Sequence, residues 1–474
     1  MNEHKLLIKN TSIIAIGNMS TKLISFFLLP LYTALLSTEQ YGDFDYIVSI
    51  ATFFVPFVTV LMDESIFRFL IDCQTIEQRE RVITTSFCVY LLGCVAFILI
   101  AIPLMHFLNY SYTIYASAYI ICVSLSGMIS ALLRGIGRTD QYALFNFLNS
   151  ALQIILNVLF IAYFKWGLLG MLRASVLAQL IIGLVYIFKF SLYKYIRISL
   201  FDKALSKEMM VYSIPLIPNK LSWSIINLSD RIIIMNTLGS AQTGLYAVSN
   251  RFPSLMDTVY GFFYQSWKES SARALHGESA DKFYNSVYKT LKNFMFSIVI
   301  GMIAFMPLVF KIMVNESYHS ALVYVPILIL AMYFANMSGF YGGIFTAYKQ
   351  TKIMGSTTVA AAVINLILNL ALIIKVGLYA AAFSTLIANF TVYLYRKIKV
   401  RDFVKLKESK RKSIIAGIVL LITMLLFYVD ISWGIVINCI LAFCYAIICN
   451  KNIVMMIVSF IRKKGAQIWK QYVS

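Results

Sequence analysis

The sequence predicts an all-α polytopic membrane protein. It has about fourteen transmembrane helices: two six-helix lobes related by a pseudo-two-fold axis along the membrane normal, plus two C-terminal helices. Three observations lead there: the hydropathy, the placement of the basic residues and an internal repeat. Of 474 residues, 60% are hydrophobic and only 13% charged, with a mean hydropathy of +0.78. Soluble domains carry roughly 25% charged residues, so an ordinary soluble enzyme and a disordered scaffold are both excluded.

A helix needs about 20 apolar residues to cross the hydrocarbon core. Fourteen segments meet that need, near Thr11–Leu36, Phe44–Met62, Val82–Leu108, Tyr112–Leu133, Tyr142–Phe164, Gly167–Phe190, Val211–Leu238, Gly244–Ser266, Phe294–Val314, Ala321–Thr346, Thr357–Ile374, Leu378–Tyr395, Ile414–Val429 and Trp433–Cys449. The first is preceded by Lys5 and Lys9 and followed by no small-residue cleavage site, so it reads as a retained membrane helix. Ile453–Ile461 is too short to span. With Arg462, Lys463, Lys464 and Trp469 behind it, it reads as an interfacial helix. The longest connections, near Lys189–Met210, Trp267–Asn293 and Arg396–Lys412, leave no room for a nucleotide-binding domain. The expected organisation is a lobe over 1–190, a basic cytoplasmic linker over 191–210, a second lobe over 211–397 and a basic cytoplasmic loop over 398–412. Helices 13 and 14 follow over 413–450, then an interfacial basic tail over 451–474.

Lysine and arginine set the orientation. With the N-terminus inside, 33 of the 41 fall at cytoplasmic ends and loops, and three (Lys165, Lys311, Lys375) fall outside. Both termini are therefore expected in the cytoplasm. The net charge of +20 follows from basic loops against an anionic inner leaflet and calls for no nucleic-acid partner.

The repeat aligns Ile155-Leu156-Asn157, Gly167-Leu168 and Ala178 with Ile367-Leu368-Asn369, Gly377-Leu378 and Ala388. Leu36, Gln40 and Gly42 likewise match Leu238, Gln242 and Gly244. The offset is roughly 200 to 210 residues, or six helices, an even number of crossings. The copies therefore share one orientation, as in transporter halves related by an axis along the membrane normal.

Five cations remain inside the helices: Lys22, Arg173, Lys220, Arg231 and Arg251. Each costs about 2.5–3.5 kcal/mol at the bilayer centre, so most should face a cavity or a partner. Lys220 and Arg231 are eleven residues apart and share one face of the seventh helix. Lys22 sits a turn after Asn18, which the repeat aligns with Lys220. The functional reading is a cationic lining for an anionic substrate. The alternative is ion pairs, with Asp230 or Asp257 as partners, and Arg173 and Arg251 can snorkel to the outer boundary. Asp257 and Asp230 are the candidates for ion coupling, because a buried carboxylate can take up and release a proton; for Asp257 a structural salt bridge to Arg251 or Arg231 is the competing reading. Pro30, Pro56, Pro215, Pro218 and Pro253 mark expected bends.

No catalytic or metal-binding constellation is read. Asp43-Phe44-Asp45 has DxD spacing but falls at the outer face, away from cytoplasmic nucleotide sugars. The four histidines, His4, His106, His276 and His319, show no ligand spacing, and no Gly-rich phosphate cradle is present. Seven cysteines form no CxxC pair, and all but Cys73 lie in apolar runs, so neither a disulfide framework nor a zinc site is expected.

The stretch Tyr212-Ser213-Ile214-Pro215-Leu216-Ile217-Pro218, then Asp230-Arg231-Ile232-Ile233, Gly239 and Gly244-Leu245-Tyr246, resembles the seventh-helix signature of bacterial polysaccharide transporters. Gly42, Arg134-Gly135 and Trp166-Gly167 are similar to that family as well. The resemblance covers the whole chain and is to O-antigen or capsule repeat-unit flippases of the multidrug/oligosaccharidyl-lipid/polysaccharide exporter superfamily. It implies a multi-pass protein of the bacterial cytoplasmic (inner) membrane that moves an undecaprenyl-pyrophosphate-linked oligosaccharide outward. It further implies a central cationic cavity, alternating access and coupling to an ion gradient. No cofactor is expected beyond an H+ or Na+ gradient. The expected partners are the lipid-linked oligosaccharide, the bilayer and other polysaccharide-assembly membrane proteins. The polyprenyl tail is expected to stay in lipid along helices 13 and 14.

Three alternatives stay open. A multidrug antiporter of the same superfamily is disfavoured by the basic surplus within the helices. A flippase for the peptidoglycan precursor shares the helix count and a basic cavity. A membrane-embedded polysaccharide polymerase or ligase is disfavoured by the short outer loops.

Overall fold

The computed structural model describes residues 26–107, 112–274, 280–429, 433–451 and 455. Asn18, Lys22, His4 and His276 lie outside the described residues, as does the expected interfacial tail beyond 451 apart from Met455. The described chain is helical throughout, and every apolar segment predicted above that reaches it forms a helix. The elements are α1 (Leu29–Leu35), α2 (Thr38–Thr59), α3 (Met62–Asp72), α4 (Ile76–Phe107), α5 (Thr113–Gly135), α6 (Thr139–Asn157) and α7 (Gly167–Lys189). Then come α8 (Lys203–Ser213), α9 (Ile217–Leu238), α10 (Ser240–Ala274), α11 (Ala280–Met313), α12 (Val325–Ala347), α13 (Thr351–Val376), α14 (Leu378–Lys399), α15 (Lys410–Tyr428) and α16 (Gly434–Cys449).

Ten of the described helices are long and apolar enough to cross a membrane. α16 misses on length, with 16 residues. α9 and α10 are long enough and miss on polarity. These two helices carry five of the seven candidate site residues, including Lys220, Asp230 and Arg231 in α9. Polar groups in a spanning helix are costly and mark function.

Several helices outrun the apolar windows. Ser37 caps α2 in a capping box with Gln40, so the helix starts at Thr38, six residues before the apolar run. After α2 the backbone turns through Val60 and Leu61, both in the left-handed region. The stretch between the second and third apolar segments forms α3, whose first turn carries Asp63 and Glu64, charges that suit a helix N-terminus. Pro215 lies in a short 3-10 turn and Pro218 in the first turn of α9, and together they separate α8 from α9.

Packing divides the chain into two compact units: Met1–Val248 with Ala362–Ala381, and Ser249–Ala361 with Ala382–Ser474. In the first unit Met62, Ile66, Ile83, Ile120 and Met128 form the centre of the core. The repeat glycines meet there. A Cβ at Gly42 would overlap the Ser240 carbonyl oxygen, and a Cβ at Gly244 would overlap the Thr38 carbonyl oxygen. Thr38 and Ser240 are themselves repeat equivalents, so α2 crosses the start of α10 through one contact made twice. Gly167 and Gly377, also equivalent, both turn with positive φ, +52° and +59°, which side chains disfavour. Gly42→Ala is expected to destabilise the protein by roughly 1–3 kcal/mol, the usual cost of overpacking. Gly261→Ala, in α10 with open space around it, should not. Thermal shifts of the full chain in detergent check this, and equal midpoints for Gly42→Ala and the wild type would contradict the crossing.

In the second unit, α16 seats on α11 through Ala442, Tyr445, Ile300 and Ala304. Trp267 stacks on Phe340 with centroids 4.5 Å apart and donates its indole N–H to the Phe340 carbonyl at 2.9 Å.

Candidate functional site

Asp230 and Arg231 are neighbours on α9. Side chains one residue apart differ by 100° around a helix, so the two reach different partners. Asp230 is 3% exposed. It accepts hydrogen bonds from the Tyr246 hydroxyl at 2.8 Å and from the Asn369 amide nitrogen at 2.8 Å. Arg231 turns to α2, where its Nε donates to Asp45 Oδ2 at 2.7 Å, the two side chains being 14% and 11% exposed. The Arg231 guanidinium also lies 5.9 Å from the centre of the Tyr246 ring. Tyr246 thus touches both residues and joins them into one cluster.

Tyr246 and Asn369 are neutral donors, and amide oxygens lie close to Asp230. Asn369 is fully buried, and its Oδ1 is buried with no hydrogen-bond partner among the described residues. One turn earlier on α13, Asn365 accepts from Ser229 at 3.5 Å and is itself fully buried. A carboxylate beside amide oxygens is a set that can take a proton, or a hard cation bound through oxygen. A buried charge is tolerated only when such groups satisfy it.

The repeat shows how this arose. Asn157, the equivalent of Asn369, is also fully buried, and its amide donates to the Tyr32 hydroxyl at 2.8 Å. In each half a buried asparagine reaches back to the first helix of that half. The first half offers it a phenol and the second a carboxylate.

Lys220 lies on α9 about 16 Å along the axis from Arg231, at 1.5 Å per residue. Its Nζ is 3.5 Å from Glu64 Oε1 of α3, with the side chains 50% and 46% exposed. Such an open pair holds little energy. Arg173, on α7, donates to the Tyr115 hydroxyl at 3.1 Å, and its guanidinium lies 4.9 Å from the Trp166 ring centre. Arg251 is half-buried and Asp257 exposed, both on the part of α10 that belongs to the second unit. The structure therefore gathers Arg231 and Asp230 into one cluster, places Lys220 farther along the same helix and engages Arg173 elsewhere in that unit.

Sequence reasoning offered Asp230 or Asp257 as ion-pair partners and did not name Asp45, which bonds Arg231. It also did not single out Tyr246 or Asn365. Asn369 stood in the repeat motif, but only as a marker of symmetry. Arg396, counted among the cytoplasmic-end cations, is 2% exposed. It donates to Thr357, Thr358 and the carbonyl oxygens of Ser338 and Met354 at 2.9 to 3.2 Å. In the DxD triplet, Asp43 accepts from Ser240 at 2.6 Å and Asp45 holds Arg231, so both carboxylates serve contacts within the chain. Among the described residues, no group of three or more His, Cys, Asp or Glu is placed to hold a metal ion.

Solved structures share this fold. The lipid II flippase MurJ, in an inward closed conformation, superposes with a TM-score of 0.69 at 14% identity, covering 94% of this chain and 99% of that one. A multidrug resistance MATE family transporter of the MOP superfamily, in an inward-facing conformation, gives a TM-score of 0.67 at 15% identity, covering 82% and 98%. An outward-facing structure of such a transporter gives 0.56 at 15% identity, covering 83% and 95%. No curated protein matches the chain by sequence. The architecture is thus the multi-pass helical fold that these structures share. A family profile described as "Polysaccharide biosynthesis protein" matches residues 7–267, more than half of the chain, and the chain belongs to that family.

Proposed function

We propose that the protein is a flippase. It carries an undecaprenyl-pyrophosphate-linked oligosaccharide, an O-antigen or capsule repeat unit, from the inner to the outer leaflet of the bacterial cytoplasmic membrane. Two six-helix lobes alternate access, and an H+ or Na+ gradient drives the cycle. The observation that carries this reading is the polarity of α9: a 22-residue helix of a polysaccharide-biosynthesis protein that bears Lys220, Asp230 and Arg231. A pyrophosphate and a glycan cannot cross hydrocarbon unaided. Lysine and arginine at membrane depth offer them a counter-charge, with Lys22, Lys220 and Arg231 as the first candidates and Arg173 and Arg251 nearer the outer boundary. Asp230, buried where Asp257 is exposed, is the better candidate for ion coupling; Asp257 is the second. Ligand and ion need only favour the two states differently for the cycle to run. Other polysaccharide-assembly membrane proteins are its natural partners.

The test is complementation of a flippase-deficient strain, read as restored surface polysaccharide. The wild type should restore export, and Lys22→Ala or Lys220→Ala should abolish it while the protein still inserts. Full export by both variants would remove these sites. Rescue of a strain lacking its peptidoglycan-precursor flippase, in place of the polysaccharide strain, would transfer the reading to that substrate.

A further inference from the structure

We propose that a lysine-walled groove in the second unit binds the headgroup of an anionic phospholipid. This inference stands apart from the export reading. The groove has a volume of about 1250 Å³ and runs between α11, residues 403–409, α15 and the end of α16. Its basic wall includes Lys289, Lys405, Lys407, Lys412 and Lys451. Its apolar floor includes Phe296, Ile415, Tyr445 and Ile448.

The only carboxylates lining it among the described residues are Asp281 and Glu408, and Glu408 is already neutralised. Lys292 and Lys397 each approach a Glu408 oxygen at 2.7 Å, and the Tyr288 hydroxyl donates to it as well. Burial pushes the Glu408 carboxyl up, but the hydrogen bonds from Lys292, Lys397 and Tyr288 outweigh it and hold the group down at about 2. Glu408 is thus a clamp between α11 and α14 and adds no free negative charge. Asn285 pins the same loop, donating to the Lys405 carbonyl at 2.9 Å and accepting from the Lys407 backbone N–H. Lys405 and Lys407 are therefore presented on a fixed loop, which lowers the entropy lost on binding.

The ligand follows from both parts of the lining. With Glu408 held by Lys292 and Lys397, Asp281 is the one other carboxylate among the described lining residues, against Lys282, Lys289, Lys405, Lys407, Lys412 and Lys451, and the sequence beyond 455 adds Arg462, Lys463, Lys464 and Lys470, which bear the same sign. The apolar floor continues into exposed Ile418 and Leu421 of α15 and Phe443 of α16, surfaces that suit acyl chains. Basic pockets between membrane helices take anionic headgroups in this way.

The experiment uses the full chain in neutral detergent, with phosphatidylglycerol added and retained lipid counted by native mass spectrometry. The wild type should retain phosphatidylglycerol and not phosphatidylcholine of equal chain length. The triple variant K405Q/K407Q/K412Q should lose affinity by roughly fivefold per lysine. K405R/K407R/K412R should keep it, which separates lost charge from lost fold, and K349Q/K352Q should behave as wild type. Unchanged binding in the glutamine variant, equal retention of phosphatidylcholine, or retention of undecaprenyl phosphate without phosphatidylglycerol would overturn the proposal.

Discussion

Asp230→Asn is expected to leave the protein folded and inserted while removing the response of transport to an ion gradient. The substitution keeps the size of the side chain and an oxygen that can accept from Tyr246, so the cost to packing is small. It removes the group that can ionise. Asp230 sits at 3% exposure between Tyr246 and Asn369, where gaining a proton or cation changes the charge of a buried site. A proton or cation bound there differently in two states shifts their balance by its differential affinity. Coupling energies of this kind run about 1–3 kcal/mol, or roughly 5- to 150-fold. In proteoliposomes with an imposed gradient, the variant's transport rate should fall to the gradient-free rate. A variant that still accelerates with the gradient would move the coupling away from Asp230, to Asp257 or elsewhere.

Breaking the Arg231–Asp45 pair should have the largest effect on stability. Removal of one partner from a buried pair strands the other charge and costs about 3–5 kcal/mol. Arg231→Met and Asp45→Leu should each show that loss, whereas the double variant, with neither charge left to strand, should come back close to wild type. A double-mutant cycle on unfolding in detergent reads the coupling directly. Additive losses would mean that the two side chains do not depend on one another. The double variant also separates roles: if Arg231 serves the substrate as well as the fold, it will be stable and poor in export.

Much of this architecture was legible in the residues. The apolar segments named the helices, because a membrane helix must satisfy its backbone internally and cover itself with apolar side chains. The repeat glycines were legible for a physical reason as well. Gly42 and Gly244 stand where two backbones touch, and Gly167 and Gly377 stand where φ is positive. Such positions tolerate little else, so their spacing survives as a pattern. Helix ends were less legible. α3 was not legible between the second and third apolar segments, since hydropathy records the hydrocarbon-crossing part of a helix and is silent about polar turns beyond it.

The site was legible only in part. Asp230 and Arg231 stood out because charges inside an apolar run are expensive. Their partners did not, because Asp45 lies 186 residues from Arg231 and Asn369 lies 139 from Asp230. No local spacing encodes contacts of that range. The role of Arg396 was hidden for another reason: it stands in the basic last turn of its helix, and position does not tell that the fold turns it inward onto neutral oxygens.

The central claim is that positive charge carried by membrane helices receives the pyrophosphate of a lipid-linked oligosaccharide. The most direct measurement is translocation across proteoliposomes of a fluorescent polyprenyl-pyrophosphate oligosaccharide, alongside an analogue with the same sugar and lipid joined by an uncharged linker. The account predicts transfer of the pyrophosphate compound, little transfer of the neutral one, and loss of that preference in Lys220→Ala. Equal transfer of both compounds, or none of either by a folded protein, would contradict it.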